Sequence, residues 1–229
     1  MIGAVVLDLD DTVFDHRASA RRGVSWLIEE LHGKADERVL EAWERSAGEL
    51  SVLRLAGELD RQGYRRERVR ILLRELGRSR EAEVVPDDLA DRLYARFVDL
   101  YESSWVAFDD AVPLLRELGN RHVPAAILTN GPEERQQRKA DVLGLRPWVT
   151  GVWTSERLGL RKPDPDCYLA VCESLGVTPE GVLHIGDDLG NDLIGARDAG
   201  LRALHLDRRN EEPDAPWRIS GLREVLGHL

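Results

Sequence analysis

The sequence predicts an α/β fold, a doubly wound parallel sheet carrying an inserted helical domain, and three observations lead there. Short apolar runs rich in β-branched residues recur at 2–9, 123–129, 149–154, 182–186 and 201–206. Helical patterns at 109–120, 132–143, 163–176 and 190–199 lie between the returning runs. Strands alternating with helices of that length build βαβ units around a parallel sheet. The third observation is a break in this rhythm, because residues 16–104 contain no strand pattern. They carry helical apolar spacing instead, as in Trp26, Leu27 and Leu31, and later Leu89, Leu93, Phe97 and Leu100. The domains are therefore an α/β core of residues 1–15 and 105–229 and a helical insert of residues 16–104.

Taken in order, the first run, IGAVVLDL, ends in acids and reads as a buried strand. The chain leaves the core around Phe14 and Asp15 and returns around Trp105 to Phe108. Asp109 is the expected N-cap of the helix that follows. VPAAILT (123–129) is a strand running into Asn130, Gly131 and Pro132, with proline at the first helical position. A second proline-initiated helix follows Lys162, and VLHIG (182–186) runs into an acidic loop. Sheets of this class bind ligands at the carboxyl ends of their strands. An insert beside the end of the first strand is placed to act as a mobile lid.

Composition sets the class of partner. The chain has 229 residues, 42% hydrophobic and 32% charged, enough for a sizeable core and unlike a disordered chain. No apolar run approaches the ~18 residues that span a bilayer, and MIGAVVLDLDD is unlike a signal peptide, so a soluble cytoplasmic protein is expected. With 32 basic against 42 acidic side chains, the net charge of -10 opposes attachment to nucleic acid or an anionic membrane. Cys167 and Cys172, five apart in a helical pattern, are too far apart to bridge, which suits a reduced compartment. No heptad seam marks an oligomer interface, and a core-plus-insert chain of this length can work as a monomer.

Four clusters carry chemistry. Asp8, Asp10 and Asp11 close the first strand, with Asp8 and Asp10 on one face, and such a group of carboxylates calls for a cation. Thr129 and Asn130 offer a hydroxyl and backbone N–H groups at a helix start, a setting that suits a phosphate oxygen. Only Lys34, Lys139 and Lys162 are lysines in this arginine-rich chain. Lys162, in Arg161-Lys162-Pro163-Asp164-Pro165, is a compact counter-charge for phosphate. Asp187, Asp188 and Asp192 follow the fourth run and supply hard oxygen ligands without cysteine or a zinc-spaced histidine pair, favouring Mg²⁺. Each cluster alone has a structural explanation as a cap or solvated turn. All four fall at the carboxyl ends of predicted strands.

In order and spelling these clusters resemble the four signature motifs of the haloacid dehalogenase (HAD) superfamily: DLDDT, LTNG, KPDP and GDDLGND, followed by GARDAG. The core outside 16–104 is covered, and the insert is similar to the α-helical cap of one branch. SARRG (19–23), LTNGPEERQQRK (128–139) and RKPDPDCY (161–168) are similar to the N-acylneuraminate-9-phosphatase and pyrimidine-nucleotidase-like subgroup.

The resemblance implies a Rossmann-like core and a Mg²⁺-dependent phosphatase acting on a small phosphorylated metabolite, a sugar phosphate or nucleotide monophosphate. It implies that Asp8 attacks phosphorus to form an aspartyl-phosphate and that Asp10 protonates the leaving alcohol and then activates water. Asp8, the backbone carbonyl of Asp10, and Asp187 would hold the metal. Thr129, Asn130 and Lys162 would hold phosphoryl oxygens, helped by the Asp11 N–H. Asp192 would support the metal or Lys162, and Asp188 is open between metal and cap. An acid at position 10 argues against the dehalogenase branch, where a halide leaves without a proton. The phosphonatase branch needs a lysine from the cap, and Lys34 lies in a loop. A phosphomutase of the same superfamily and a non-catalytic binding protein are the remaining alternatives. Among other residues, the arginine-rich stretch 61–80 reads as a solvated face, or as a surface that steers anions. His16 is expected at the surface, His184 in the core, and Trp26, Trp43 and Trp105 in packing roles.

Overall fold

A computed structural model describes residues 2–229, whose strands are β1 (Ala4–Leu7), β2 (Ala125–Thr129), β3 (Val152–Thr154), β4 (Val182–Gly186), β5 (Arg202–Leu206) and β6 (Arg218–Ile219). They form one parallel sheet in the order β3-β2-β1-β4-β5-β6. β1 is central, with Val5 opposite Ala125 on one side and Leu183 on the other. β1, β2 and β4 are buried along their whole length, which is why they read as continuous apolar runs rather than alternating ones. Strand order reverses between β1 and β4, so the crevice beyond their carboxyl ends is where this topology binds ligands.

The helices are α1 (His16–Glu30), α2 (Glu37–Leu55), α3 (Arg61–Glu75), α4 (Ser79–Val84), α5 (Asp87–Ser103), α6 (Ala111–Asn120), α7 (Glu133–Val142), α8 (Ser155–Leu158), α9 (Pro165–Leu175) and α10 (Gly195–Asp198). The chain divides into two compact units, one running to His16 and resuming at Trp105 through Leu229, the other Arg17–Ser104. In the first, one core layer joins Ala4, Val6, Ala126 and Leu128 of the sheet to Tyr168, Val171 and Cys172 of α9. Cys167 and Cys172 are both free and buried. The second unit is all helix. Trp43 and Phe97 meet edge to face at 4.7 Å, and the buried Arg68 guanidinium lies 3.7 Å over the Trp43 ring. Arg68 also donates to the Trp43 carbonyl at 2.8 Å and the Ser46 hydroxyl at 3.2 Å. No helix among the described residues is long and apolar enough to cross a membrane.

Several local expectations need correction. Asp110, not Asp109, precedes α6, and its carboxylate caps nothing because Arg208 Nη1 and Nη2 hold it at 3.0 and 2.8 Å. The predicted strand 149–154 shortens to Val152–Thr154 behind a 3-10 turn at Arg146–Trp148. The predicted helix 190–199 is a π-helical turn, Leu189–Ile194, running into α10. β6, two residues long, was too short to show a period. Trp26 is 38% exposed rather than packed, because α1 buries the face of Val24, Leu27 and Ile28. The arginines of α3 are not a bare cationic face. Arg66 and Arg70 pair with Asp87, Arg66 also with Asp91, and Arg74 with Glu67.

Candidate active site

The backbone carries the first acidic cluster out of the sheet through a tight turn. β1 stops at Leu7, Asp8 N–H still donates to the Ile185 carbonyl at 2.9 Å, and Val13 and Phe14 both bond back to Leu9. Asp11 at the turn has φ of 58°, a left-handed conformation that glycine adopts freely and aspartate tolerates better than most residues. Its N–H donates to the Phe14 carbonyl at 2.8 Å, so the expectation that it faces phosphate is not met. The exit and return segments pair, with Phe14 bridged to Ala107.

Asp8, Asp187 and Asp192 converge here, each offering a carboxylate oxygen within 4.8 Å of the others. Lys162 Nζ donates to Asp8 Oδ1 and to Asp192 Oδ1, both at 2.6 Å, and is itself 2% exposed. Asp192 also meets His184 Nε2 at 3.0 Å and accepts from the Asp188 N–H at 3.2 Å. His184 is thus buried as expected, but it also braces Asp192. Gly186 makes this convergence possible, because a Cβ there would lie 2.1 Å from Asp192 Cγ. Asp187 Oδ1 accepts from Thr12 Oγ1 at 3.3 Å. Asp188 caps the following turn, accepting from Asn191 N–H at 2.7 Å.

Electrostatics separates the acids. Burial pushes the Asp8 carboxyl up, and the negative charges of Asp192, Asp187 and Asp10 add to it against the opposing pull of Lys162. Burial, with Asp192 and Asp11, raises Asp187 to about 7. Burial works to raise Asp192 as well, but Lys162 and His184 override it and hold it well below the carboxylate range. Lys162 moves upward despite its burial, because Asp8 and Asp192 flank it. Two carboxylates share one ammonium and a third, Asp187, lies beside them, which leaves negative charge for a hard divalent cation to balance, and a donor set of oxygens without cysteine or histidine fits such an ion.

The second and third clusters meet through a reciprocal clasp. Asn130 Nδ2 donates to the Lys162 carbonyl and Lys162 N–H donates to Asn130 Oδ1, both at 2.8 Å, so the Asn130 side chain positions Lys162. Thr129, 2% exposed, accepts from Gln136 Nε2 at 2.7 Å. Asp10 stands apart from the Asp8 group. Lys139 Nζ donates to its Oδ1 and Gln136 Nε2 to its Oδ2, the latter at 2.9 Å. Burial acts to raise the Asp10 carboxyl, but Lys139 overrides it and holds it below its ordinary value. Sequence reading singled out the 128–139 stretch that holds Gln136 and Lys139, and the rarity of lysine, but gave neither residue a role.

Comparison with known proteins identifies the family. Residues 2–200 match the model of the haloacid dehalogenase-like hydrolases, and the chain belongs to that family. The glyceraldehyde 3-phosphate phosphatase of Methanopyrus kandleri is 28% identical over 99% of this chain and 96% of its own length. The phosphoserine phosphatase of Thermus thermophilus is 30% identical over 97% of each. An (S)-2-haloacid dehalogenase of Xanthobacter autotrophicus is 31% identical over 96% of this chain and 81% of its own, and mouse N-acylneuraminate-9-phosphatase is 24% identical over 88% and 81%. Among solved structures, the magnesium-bound HAD hydrolase YfnB of Bacillus subtilis superposes with a TM-score of 0.80 at 24% identity, covering 100% of this chain and 98% of that one.

Proposed function

We propose that the chain is a Mg²⁺-dependent phosphatase that hydrolyses a small phosphorylated metabolite through an aspartyl-phosphate on Asp8. The observation that carries this reading is the separation of two carboxylates with opposite surroundings. Asp8 sits with Asp187, Asp192 and Lys162 at the topological switch point, whereas Asp10 is paired with Lys139 and Gln136. These surroundings support reading the first as a nucleophile inside a cation site and the carboxylate of the second as an acid and base outside it.

In this reading Asp8, Asp187 and the Asp10 carbonyl hold the metal, with Asp192 bracing Lys162 behind them. When bound, Mg²⁺ supplies charge neutralisation for the transferring phosphoryl group. Lys162, Thr129 and the Asn130 N–H take its oxygens. The phosphorus–oxygen bond to the alcohol breaks as the bond to Asp8 forms, and Asp10, which Lys139 holds ionised at rest and which takes up a proton from the medium as the dianionic phosphoryl group arrives beside it, passes that proton to the departing oxygen. Asp10 then takes a proton from the water that releases phosphate and restores Asp8. The helical unit, residues 16–104 as read from the sequence, is proposed as the cap that selects the leaving group. The family also contains dehalogenases, and an acid at Asp10 supports the phosphatase chemistry over theirs, since halide departure needs no acid.

Phosphate release with and without Mg²⁺ tests this across sugar phosphates, nucleotides, phosphoserine, glyceraldehyde 3-phosphate and sialic acid 9-phosphate, with a 2-haloacid as the off-class probe. The wild type is expected to release phosphate and Asp8→Asn to release none. Halide release without phosphate release contradicts the reading.

A further inference from the structure

We infer that Lys139 and Gln136 form a positioning clamp for Asp10, holding its carboxylate in the geometry from which it protonates the leaving group and tying it to the phosphate-binding Thr129. The inference rests on the proposed acid–base role of Asp10 and gives a role to two residues of the 128–139 stretch, Gln136 and Lys139.

Both residues lie on α7, three apart and therefore on one face of the helix. Gln136 is 1% exposed and Lys139 3%, unusual burial for a polar and a charged side chain. Their polar ends are occupied by one acceptor system. Lys139 Nζ donates to Asp10 Oδ1, and Gln136 Nε2 donates both to Asp10 Oδ2 at 2.9 Å and to Thr129 Oγ1 at 2.7 Å. Both carboxylate oxygens are thereby held from one side, which removes the rotation that an aspartate on a turn otherwise has. Asp10 itself keeps 40% of its side-chain surface exposed, so the clamp leaves it open to a reactant.

The surroundings are built around this contact. The Lys139 ammonium lies 4.5 Å from the centroid of the Phe14 ring and 5.8 Å from that of Trp105, aromatic faces that steady a cation without competing for its protons. Gly131 clears the path of Gln136, since a Cβ there would stand 2.5 Å from the Gln136 side chain. Lys139 pairs with Asp10, and its helix neighbour Gln136 links the same carboxylate to the Thr129 hydroxyl.

Lys139 and Gln136 touch no substrate atom in this account and act through Asp10. Their test compares an alkyl phosphate, whose alkoxide must be protonated to leave, with p-nitrophenyl phosphate, whose leaving group needs little protonation. The alkyl substrate is the monoester that the wild type turns over fastest. Lys139→Met is expected to lower the single-turnover rate of alcohol release from it about a hundredfold, the scale of a misplaced reacting group. On the aryl ester the single-turnover rate of nitrophenol release, which precedes the water step, should fall only a few-fold, and Lys139→Arg should restore part of the alkyl rate. Gln136→Leu should show the same bias more weakly. If Lys139→Met fails to fold, Lys139→Arg and Gln136→Leu carry the comparison. Equal losses on both esters, or a rise in turnover, would overturn the clamp. Asp10→Asn is the control for the underlying reading. If it shows the alkyl bias and the clamp variants do not, the clamp alone fails. If Asp10→Asn shows no bias, the acid–base role fails first.

Discussion

The two units of this chain each hold a cation between two acids, and they differ in what burial does to it. In the α/β unit Lys162, 2% exposed, donates to Asp8 and Asp192 at 2.6 Å. In the helical unit Arg66 donates to Asp87 and Asp91 at 2.6 to 2.8 Å with 27% of its side chain exposed. Water screens the second arrangement, and its removal leaves nothing stranded. The first is desolvated, so losing any member leaves charge with no solvent to answer it. The same pairing is surface decoration in one unit and a poised reaction centre in the other.

The largest expected break of that contrast is Gly186→Ala. The added methyl would stand 2.1 Å from Asp192 Cγ, so Asp192 must move and Lys162 with it. Phosphate release should fall at least about a hundredfold, and thermal melting should show a loss of about 1–3 kcal/mol. Unchanged activity would mean that the Asp192 brace is dispensable.

Asp110→Asn probes a buried pair that meets the candidate site through Thr12. Asp110, 6% exposed, binds Arg208 through two nitrogens and accepts the Leu222 N–H at 2.9 Å, while Arg208 also donates to the Thr12 carbonyl. Burial acts to raise the Asp110 carboxyl, but Arg208 and the Leu222 N–H hold it below its ordinary value. The group is therefore harder to protonate folded than unfolded, and its contribution is fully present above the unfolded value of about 3.9. The variant should lose about 2–3 kcal/mol near neutrality. Denaturant melts at stepped pH should show this difference shrink as pH falls below about 4 through the lowered folded value. A difference that grows in acid would reverse the sign argued here.

Arg66→Ala sharpens the comparison from the other side. It removes an exposed network, so the melting midpoint should fall only slightly and kcat should stay at the wild-type value. A large fall would show that the α3–α5 pairs carry more of the helical unit than the Trp43, Arg68 and Phe97 packing does.

Much of the candidate site was legible because its parts are local to strand ends. Asp8, Thr129, Lys162 and Asp187 each follow or end an apolar run or precede a proline-started helix, and parallel topology gathers such ends on one edge. What escaped was the pairing across long separations. Lys139 and Asp10 lie 129 positions apart, and nothing in the helical pattern of α7 marks one buried lysine as facing an acid. His184 was read correctly as buried, yet its hold on Asp192 depends on where the π-helical turn returns the chain, which no period reveals. The helix expected to be capped by Asp109 starts after Asp110 instead, and Asp110 does not cap it because a partner 98 positions away claims its carboxylate.

The most direct test of the central claim uses Asp10→Asn with Mg²⁺ and p-nitrophenyl phosphate. The aryl group can leave without the acid, but no base remains to activate water, so the phosphorylated enzyme should accumulate. Acid quench followed by intact-mass and peptide analysis should find one phosphoryl group per chain, on Asp8, with a matching burst of nitrophenol. Continued turnover without any label on Asp8 would contradict the account.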